Sequence, residues 1–557
     1  MVYLTKKKIK GKIYLYIEER AWIDGKSRRT WQKYLGPEEK IKELEISGIL
    51  SKGKPNIRVK SIEFGISAAT WKIADEIGLI NIIDGKINKS RDQNLSVGAY
   101  LVIAAINRCV APCSKSKLAN WFEGDWLSTR FDIEPSVLNA QTYWNHFRYL
   151  DEESINTIEI AINKIILDKY NLDTDSLFFD PTNFYTFSKN TDPSELRQYG
   201  HSKEGRNNLR IVSYSLVCLK DLGIPLMHET YPGNEQDAKA FKRVPEMVAN
   251  RLKALGRKPG DITLVFDKGN HSLDAFKMID KEGFKFIASA RNSMFKDLLA
   301  IPSEALIESH LPVTGKQIKY HRTTKKKYGR ERTVYVVLDP AKHEKHVLLF
   351  GMKIDNKVQE IREYFKDRLN HKKWKSHEAV EKKLKSMIGK KPLSGVVIAR
   401  VEGEDGNMTL EVKIDDDARR KHENTLGRTI LLTNQDDWNP ESVIWGYREQ
   451  YNVEHAFSRM KSPTSIAVRP MYHHSDDCIR AHVFTCVLAL LLLSLLRLKL
   501  ARKDVQASYD EILDSLGNLH LVSMNVIGKN DYAYKLEEKK GLTATITKKL
   551  GLARLVP

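Results

Sequence analysis

The sequence predicts an α/β protein with an interrupted sheet core, and three observations carry that expectation. Short apolar runs of strand type cluster at 176–180, 210–219, 225–231, 262–267 and 285–290. A helical stretch from about 238 to 255 separates the third run from the fourth. Two of the runs end in an aspartate, Asp180 and Asp267, and a helix opening at Pro440 carries a third acid, Glu454.

The elements follow in order along 557 residues, a length that calls for several domains. In 1–60, Lys12-Ile-Tyr-Leu-Tyr-Ile-Glu18 alternates between charged ends, and Asp24-Gly25 is a hairpin turn signal, so a small basic β unit is expected. Residues 61–170 read as helices at 67–78, 96–110, 116–122, 142–149 and 154–170, the first ending on Gly78. This segment is expected to be a helical, DNA-binding domain. A helix-turn-helix and a plain bundle both fit it, and without a clear recognition helix the bundle is preferred.

Three meandering strands, a helix and a further strand over 171–290 describe the first part of a ribonuclease H-like core. Asp221-Leu-Gly223 turns the second strand into the third. Residues 291–425 read as a β-rich insertion: alternation suggests strands at 333–338 and 346–351, charged helices are expected at 357–369 and 374–388, and Lys325-Lys-Lys-Tyr-Gly-Arg-Glu-Arg is strongly basic. The core resumes over 426–500 with Gly427-Arg-Thr-Ile-Leu-Leu-Thr-Asn434 and the helix from Pro440. The tail, 501–557, is mixed and carries no clear signal.

Composition narrows the partner. Lys plus Arg is 91 against 71 for Asp plus Glu, giving +20 and a pI near 9.4. Such an excess favours a polyanion, nucleic acid above all, because each neutralised phosphate releases counterion. Five cysteines form no disulfide framework, which fits a reducing interior; Cys109 and Cys113 read as buried thiols on a helix. The N-terminus lacks a signal-peptide run. The most apolar stretch, 483–496, is shorter than the ~20 residues that span a bilayer and reads as a core helix. A cytoplasmic, nucleoid-associated protein with no membrane contact is expected.

Asp180, Asp267 and Glu454 are the candidate catalytic residues and metal ligands. Carboxylates are hard oxygen ligands, and a pair of divalent cations held ~3.5–4 Å apart can activate water and stabilise a departing oxygen in phosphodiester cleavage. Asp173 and Asp175 lie at the opposite end of the first strand, Asp415-Asp-Asp417 reads as a solvated turn, and Glu449 falls on another helix face. His473 and His474 have no metal spacing, and His201 and Lys203 read as DNA contacts or ordinary loop. Tyr447, Glu454 and Lys461 are seven residues apart. On a straight helix they drift only about 20° per step and share a face.

With those residues in view, the sequence resembles the DDE-type transposases of insertion sequences. The group is the one with the signature Tyr-x2-Arg-x3-Glu-x6-Lys, the IS-four superfamily, read here as Tyr447-x2-Gln450-x3-Glu454-x6-Lys461. The likeness extends to Asp180-Pro-Thr-Asn-Phe-Tyr185, Gly200-His-Ser-Lys203, Gly223-Ile-Pro-Leu226, Tyr231-Pro-Gly-Asn234, Asp267-Lys-Gly-Asn270, Leu432-Thr-Asn434 and Arg469-Pro-Met-Tyr-His473 through Arg480-Ala-His482. It implies that Asp180, Asp267 and Glu454 are the catalytic triad and that Tyr447 and Lys461 hold transposon-end DNA. Gln450 stands at the family arginine; it can hydrogen-bond a phosphate without charge. Arg448 points about 200° away on a helix. Tyr447, Arg448, Gln450 and Lys461 are the candidate DNA contacts.

The resemblance further implies a homodimer that binds the terminal inverted repeats of its own element in double-stranded DNA. It would cut at the ends and join the freed 3′ hydroxyls to target DNA with Mg2+, for which Mn2+ can substitute, and without a nucleotide cofactor. The 187-residue spacing from Asp267 to Glu454 leaves room for the inserted domain of relatives that pass through a hairpin intermediate. Two alternatives stay open: a ribonuclease H-like nuclease that does not join strands, and a domesticated, inactive DNA-binding derivative, for which Gln450 is the argument.

Overall fold

The computed structural model describes residues 2–9, 11–23, 26–38, 57–87, 95–131, 133–187, 193–469, 471–526 and 532–557. The turn expected at Asp24-Gly25 lies outside them. Strands β1 (Val2–Ile9), β2 (Lys12–Ile23) and β3 (Lys26–Pro37) form an antiparallel meander. After β4 (Ile57–Glu63) come six helices: α1 (Gly65–Glu76), α2 (Leu79–Asp84), α3 (Val97–Val110), α4 (Leu118–Gly124), α5 (Ala140–Phe147) and α6 (Glu152–Lys169). The starts of α3, α5 and α6 are written in the sequence: Ser96, Asn139 and Asp151 each accept a hydrogen bond from a backbone N–H of the first turn. Cys109 is buried in α3, but Cys113 lies beyond the end of that helix and is half-buried, so the two thiols do not share a helix.

The central sheet begins with β5 (Ser176–Tyr185), β6 (Ile211–Leu219) and β7 (Pro225–Pro232). Helices α7 (Asp237–Phe241) and α8 (Val244–Ala254) lead to β8 (Thr263–Phe266), then α9 (Leu273–Glu282) and β9 (Lys285–Ala290) follow. The single helix expected over 238–255 is thus two. Past α10 (Lys296–Leu299) come β10 (Ile307–His310), β11 (Gln317–Lys327) and β12 (Arg330–Leu338). Tyr328 and Gly329 make the β11–β12 turn with φ of 51° and 84°, the positive pair that a two-residue type I′ turn requires.

The segment expected as one β-rich insertion divides in two. Strands β10–β12 are not a separate body: with β15 (Arg428–Thr433) they extend the central sheet to nine strands, ordered β10-β11-β12-β15-β9-β8-β5-β6-β7. Between β12 and β15 stands a smaller lobe of α11 (Pro340–Lys366), α12 (His377–Ile388), the hairpin β13 (Val397–Glu404) and β14 (Asn407–Ile414), and α13 (Asp416–Glu423). It has its own core, from Phe350, Ile354, Val358, Ile361 and Phe365 on one side to Val380, Leu384, Val397 and Val401 on the other. The strand expected at 346–351 is therefore helix. Pro340 occupies its first turn, Asp339 caps it through Lys342 N, and the buried residues recur every three or four positions.

Within the nine-stranded sheet β5–β8 and β8–β9 pair in parallel, and the other neighbouring strands are antiparallel. The chain then forms α14 (Pro440–Arg448), α15 (Tyr451–Lys461) and α16 (Asp476–Ala501). By length and composition α16 could cross a membrane, yet 89% of its apolar window is buried, because it packs against α1, α3 and β7. One contiguous apolar core runs through the helices, the sheet, α16 and the tail.

The tail is structured. Helix α17 (Tyr509–Gly517) precedes β16 (His520–Val526) and β17 (Tyr532–Leu536), which add to β4 as a second three-stranded sheet, and α18 (Gly541–Leu550) follows. At this seam the His520 imidazole stands 3.5 Å from Glu537 and 3.3 Å from Glu63. Glu537, then Glu63, hold its proton and push its pKa up to about 9. The stabilisation is complete below the ordinary histidine value of about 6.5 and is lost as pH rises through 9. Discounted for partial exposure it is about 1 kcal/mol. Melting temperature is expected to fall between pH 6.5 and 9 by more in the wild type than in His520→Gln; parallel profiles would count against this ion-pair seam.

Candidate active site

Asp180 does not end its strand. β5 continues through Pro181 to Tyr185, while its parallel neighbour stops at the Phe179–Phe266 pair. Asp180 therefore emerges where one edge of β5 has just become free, and Pro181, which has no N–H, forfeits no bond to β8 there. Asp267 follows the last residue of β8 directly and opens a short turn, its carbonyl accepting from Asn270 N at 3.1 Å. Parallel pairing of β5 with β8 sets both acids at the same end of adjacent strands, the position at which open α/β sheets bind ligands.

Glu454 is exposed in the first turn of α15. The single straight helix expected from Pro440 is broken at Glu449 and Gln450, where Asn452 N and Val453 N close tighter bonds to Glu449 O and Gln450 O. Tyr447 and Lys461 therefore lie on two helices and reach different sides of the site. The Tyr447 hydroxyl is 3.5 Å from Asp267 Oδ1, and Lys461 Nζ donates to Thr182 Oγ1 on β5.

Electrostatics tie the acids together. Burial pushes the Asp180 pKa up to about 7; Lys203 opposes it, while Glu454, Asp267 and Asp237 add to it as nearby like charges. Burial likewise raises the Tyr447 phenol, reinforced by Asp267 and Glu454. The Lys461 ammonium is lowered chiefly by burial, against the pull of Glu204 at 4.0 Å. Hard carboxylate oxygens on three elements suit a divalent cation in donor chemistry. Among the described residues, however, no three His, Cys, Asp or Glu side chains are gathered closely enough to form a finished ligand set.

A family model described as the transposase DDE domain matches residues 173–492, more than half of the chain and all three acids. The chain belongs to the DDE transposase family. No curated protein matches it. Among solved structures, a piggyBac transposase synaptic complex with hairpin DNA shares 9% identity over 83% of this chain and 82% of that one, at a TM-score of 0.36, a likeness too slight to carry an argument.

Two expected DNA contacts of the transposase, Gln450 and Arg448, stand apart from the three acids in their surroundings. Gln450 is only 5% exposed inside the break between α14 and α15, and among the described residues its side-chain oxygen has no partner. Arg448 is held by Asp339 at 3.0 Å, which ties α14 to the base of the smaller lobe.

Two neighbours of the acids, Ser289 and His271, escaped the sequence reading, and a third, Lys203, was read there as a DNA contact or ordinary loop. Ser289 on β9 donates to Asp267 Oδ1, and its hydroxyl accepts from Lys268 N at 3.0 Å. It is the one hydroxyl in Lys285-Phe-Ile-Ala-Ser-Ala290, a polar residue in an apolar strand and the only signal available. Lys203 donates to Pro181 O at 2.6 Å and pairs with Asp237 at 3.1 Å, which places its charge beside Asp180. His271 is hydrogen-bonded to the Tyr328 hydroxyl at 3.1 Å, and burial pushes its pKa down to about 4.

Proposed function

We propose that this transposase binds the terminal inverted repeats of an insertion sequence, cleaves the DNA at the element ends and transfers the 3′ ends to target DNA. The observation that carries the reading is that parallel strands set Asp180 and Asp267 at one end of the sheet, where Glu454 and Asp267 both act on Asp180 as like charges, all inside the matched transposase segment. Asp180, Asp267 and Glu454 would hold divalent cations, Mg2+ with Mn2+ able to substitute. Bound cations would supply charge for an attacking hydroxyl and for the departing 3′ oxygen.

The protein's own groups then have defined work. Ser289 and Tyr447 aim Asp267, and Lys203 offsets the charge crowded around Asp180. Lys461, steadied by Thr182, sets a cation beside the acids where a phosphate would lie. In strand transfer a 3′ hydroxyl oxygen bonds to phosphorus as another 3′ oxygen leaves, so one phosphodiester replaces another and no nucleotide is consumed. The net charge of +20 favours the DNA polyanion.

The finer assignments belong to the same proposal: membership of the IS-four superfamily, a ribonuclease H-like core, DNA binding by the helices of 61–170, action as a homodimer, and a place on the nucleoid in the cytoplasm.

The test is a cleavage assay on DNA flanking the protein's own gene, with Mg2+ or EDTA. Wild type is expected to cut at matched inverted repeats only with metal, and Glu454→Gln to bind the ends without cutting. Wild-type binding without cutting would replace the proposal with an inactive DNA-binding derivative, and cutting without joining would replace it with a nuclease.

A further inference from the structure

A second site lies on the flank of the helix that carries Glu454. A cavity of about 820 Å3 opens between α15, α16 and α17, walled by Arg459, Arg497 and Tyr509. The two guanidinium carbons stand 3.6 Å and 4.6 Å from the centroid of the Tyr509 ring. The Tyr509 hydroxyl is fixed by bonds to Leu222 O at 3.2 Å and Ser494 Oγ at 3.1 Å, so the ring is a rigid platform. Among the described residues neither arginine forms an ion pair. Asp510 and Asp514 also line the cavity, and Asp510 attracts Arg459 without pairing with it.

Two cations set around one ring without an ion-paired counter-charge are costly, and Asp510 offsets that cost only in part. Burial lowers the Arg459 pKa, and the Arg497 charge adds to that. Among the described residues Arg459 Nε has no partner, nor does the hydroxyl of Ser465, which is 8% exposed. Ser462 brings a further hydroxyl to the cavity. Stacking on an aromatic occupies the face of a guanidinium and leaves its edge N–H donors free, in a fork that matches phosphate oxygens. Along α15, Arg459 lies about 140° around the helix from Glu454, and Ser462 about 100° from Lys461. The cavity thus adjoins the acid-bearing face without sharing it.

We propose that this cleft is a phosphate-binding site that grips the DNA backbone beside the cleavage point. Arg459 and Arg497 supply the charge, and Ser462 and Ser465 donate further hydrogen bonds. The assignment of DNA as the source of the phosphate rests on the function proposed above; the anion site itself does not.

The experiment uses the full chain and compares wild type with Arg497→Gln and Arg497→Lys. Dissociation constants for duplex DNA are measured across salt concentrations, and melting curves confirm folding. Loss of one phosphate contact is expected to reduce the log–log salt slope by about 0.9 in the Gln variant, and to leave the Lys variant close to wild type. An unchanged slope in a folded Gln variant would overturn the site. If wild type fails to bind DNA, melting with added inorganic phosphate decides. Stabilisation of the wild type and not of Arg497→Gln would keep the anion site and remove DNA as its source, and stabilisation of neither would overturn it.

Discussion

Asp180→Asn should yield a protein that melts at a higher temperature than the wild type yet no longer cuts DNA. The Asp180 pKa is pushed up to about 7 from an ordinary 3.8, with burial the main cause and neighbouring acids adding to it. The folded state therefore keeps a proton that the unfolded chain releases between these values. The contribution of Asp180 to stability falls as pH rises through that window, and above pH 7 the metal-free protein carries the charged form at a cost on the order of 4 kcal/mol. Asparagine has nearly the same shape and no charge. In EDTA at pH 8 the variant is expected to melt a few degrees higher, and near pH 4 the two should converge. Mg2+ at pH 8 should stabilise the wild type alone. Cleavage should fall by about 10³ or more, since a carboxylate aimed at the reacting phosphate is worth several kcal/mol in the transition state. Equal melting at every pH would show that Asp180 is not under electrostatic load.

Arg251→Ala carries the second large effect. Arg251 joins three elements: it donates to Glu159 Oε2 at 2.7 Å and Asn156 Oδ1 at 2.6 Å on α6, and to Leu226 O at 2.7 Å on β7. The other Glu159 oxygen meets His228 Nδ1 at 2.6 Å. Glu159 is buried, and although burial opposes it, His228 and Arg251 hold its pKa below the usual carboxylate range. Removing the arginine leaves that buried charge with His228 on one oxygen and nothing in place of Arg251 on the other, at a cost of about 3–5 kcal/mol. Denaturant midpoints should show the loss. Glu159→Gln with Arg251→Met, which removes both charges and keeps the volume, should recover most of it. A double variant as unstable as the single would mean that Arg251 acts by packing.

These two clusters also mark how far the sequence could be read. Asp180 and Asp267 were legible because each interrupts an apolar run next to strand neighbours, a local pattern. Strand Lys285–Ala290 was bounded correctly, and Ile211–Leu219 to within one residue, for the same reason. Local pattern misled at 346–351, where Val-Leu-Leu-Phe suits a strand; only the cap at Asp339 and the burial of Phe350, Ile354 and Val358 reveal one face of a long helix. Long-range pairing was out of reach. Nothing near Arg448 announces Asp339, nothing near β4 announces the tail strand that pairs with it, and seven-residue spacing is silent about the break at Gln450.

The way the smaller lobe joins the sheet has a consequence for how such a chain can change. Leu338 and Arg428 are register partners on adjacent strands, so the 89 residues at 339–427 leave and return at neighbouring positions. To the sheet this whole excursion is equivalent to a hairpin turn. Closure entropy grows only logarithmically with loop length, and the lobe brings its own core, so its size places little demand on the strands that hold Asp267 or the helix that holds Glu454. It is built as a cassette: exchangeable for a short turn or for another folded unit, while the acids keep their places.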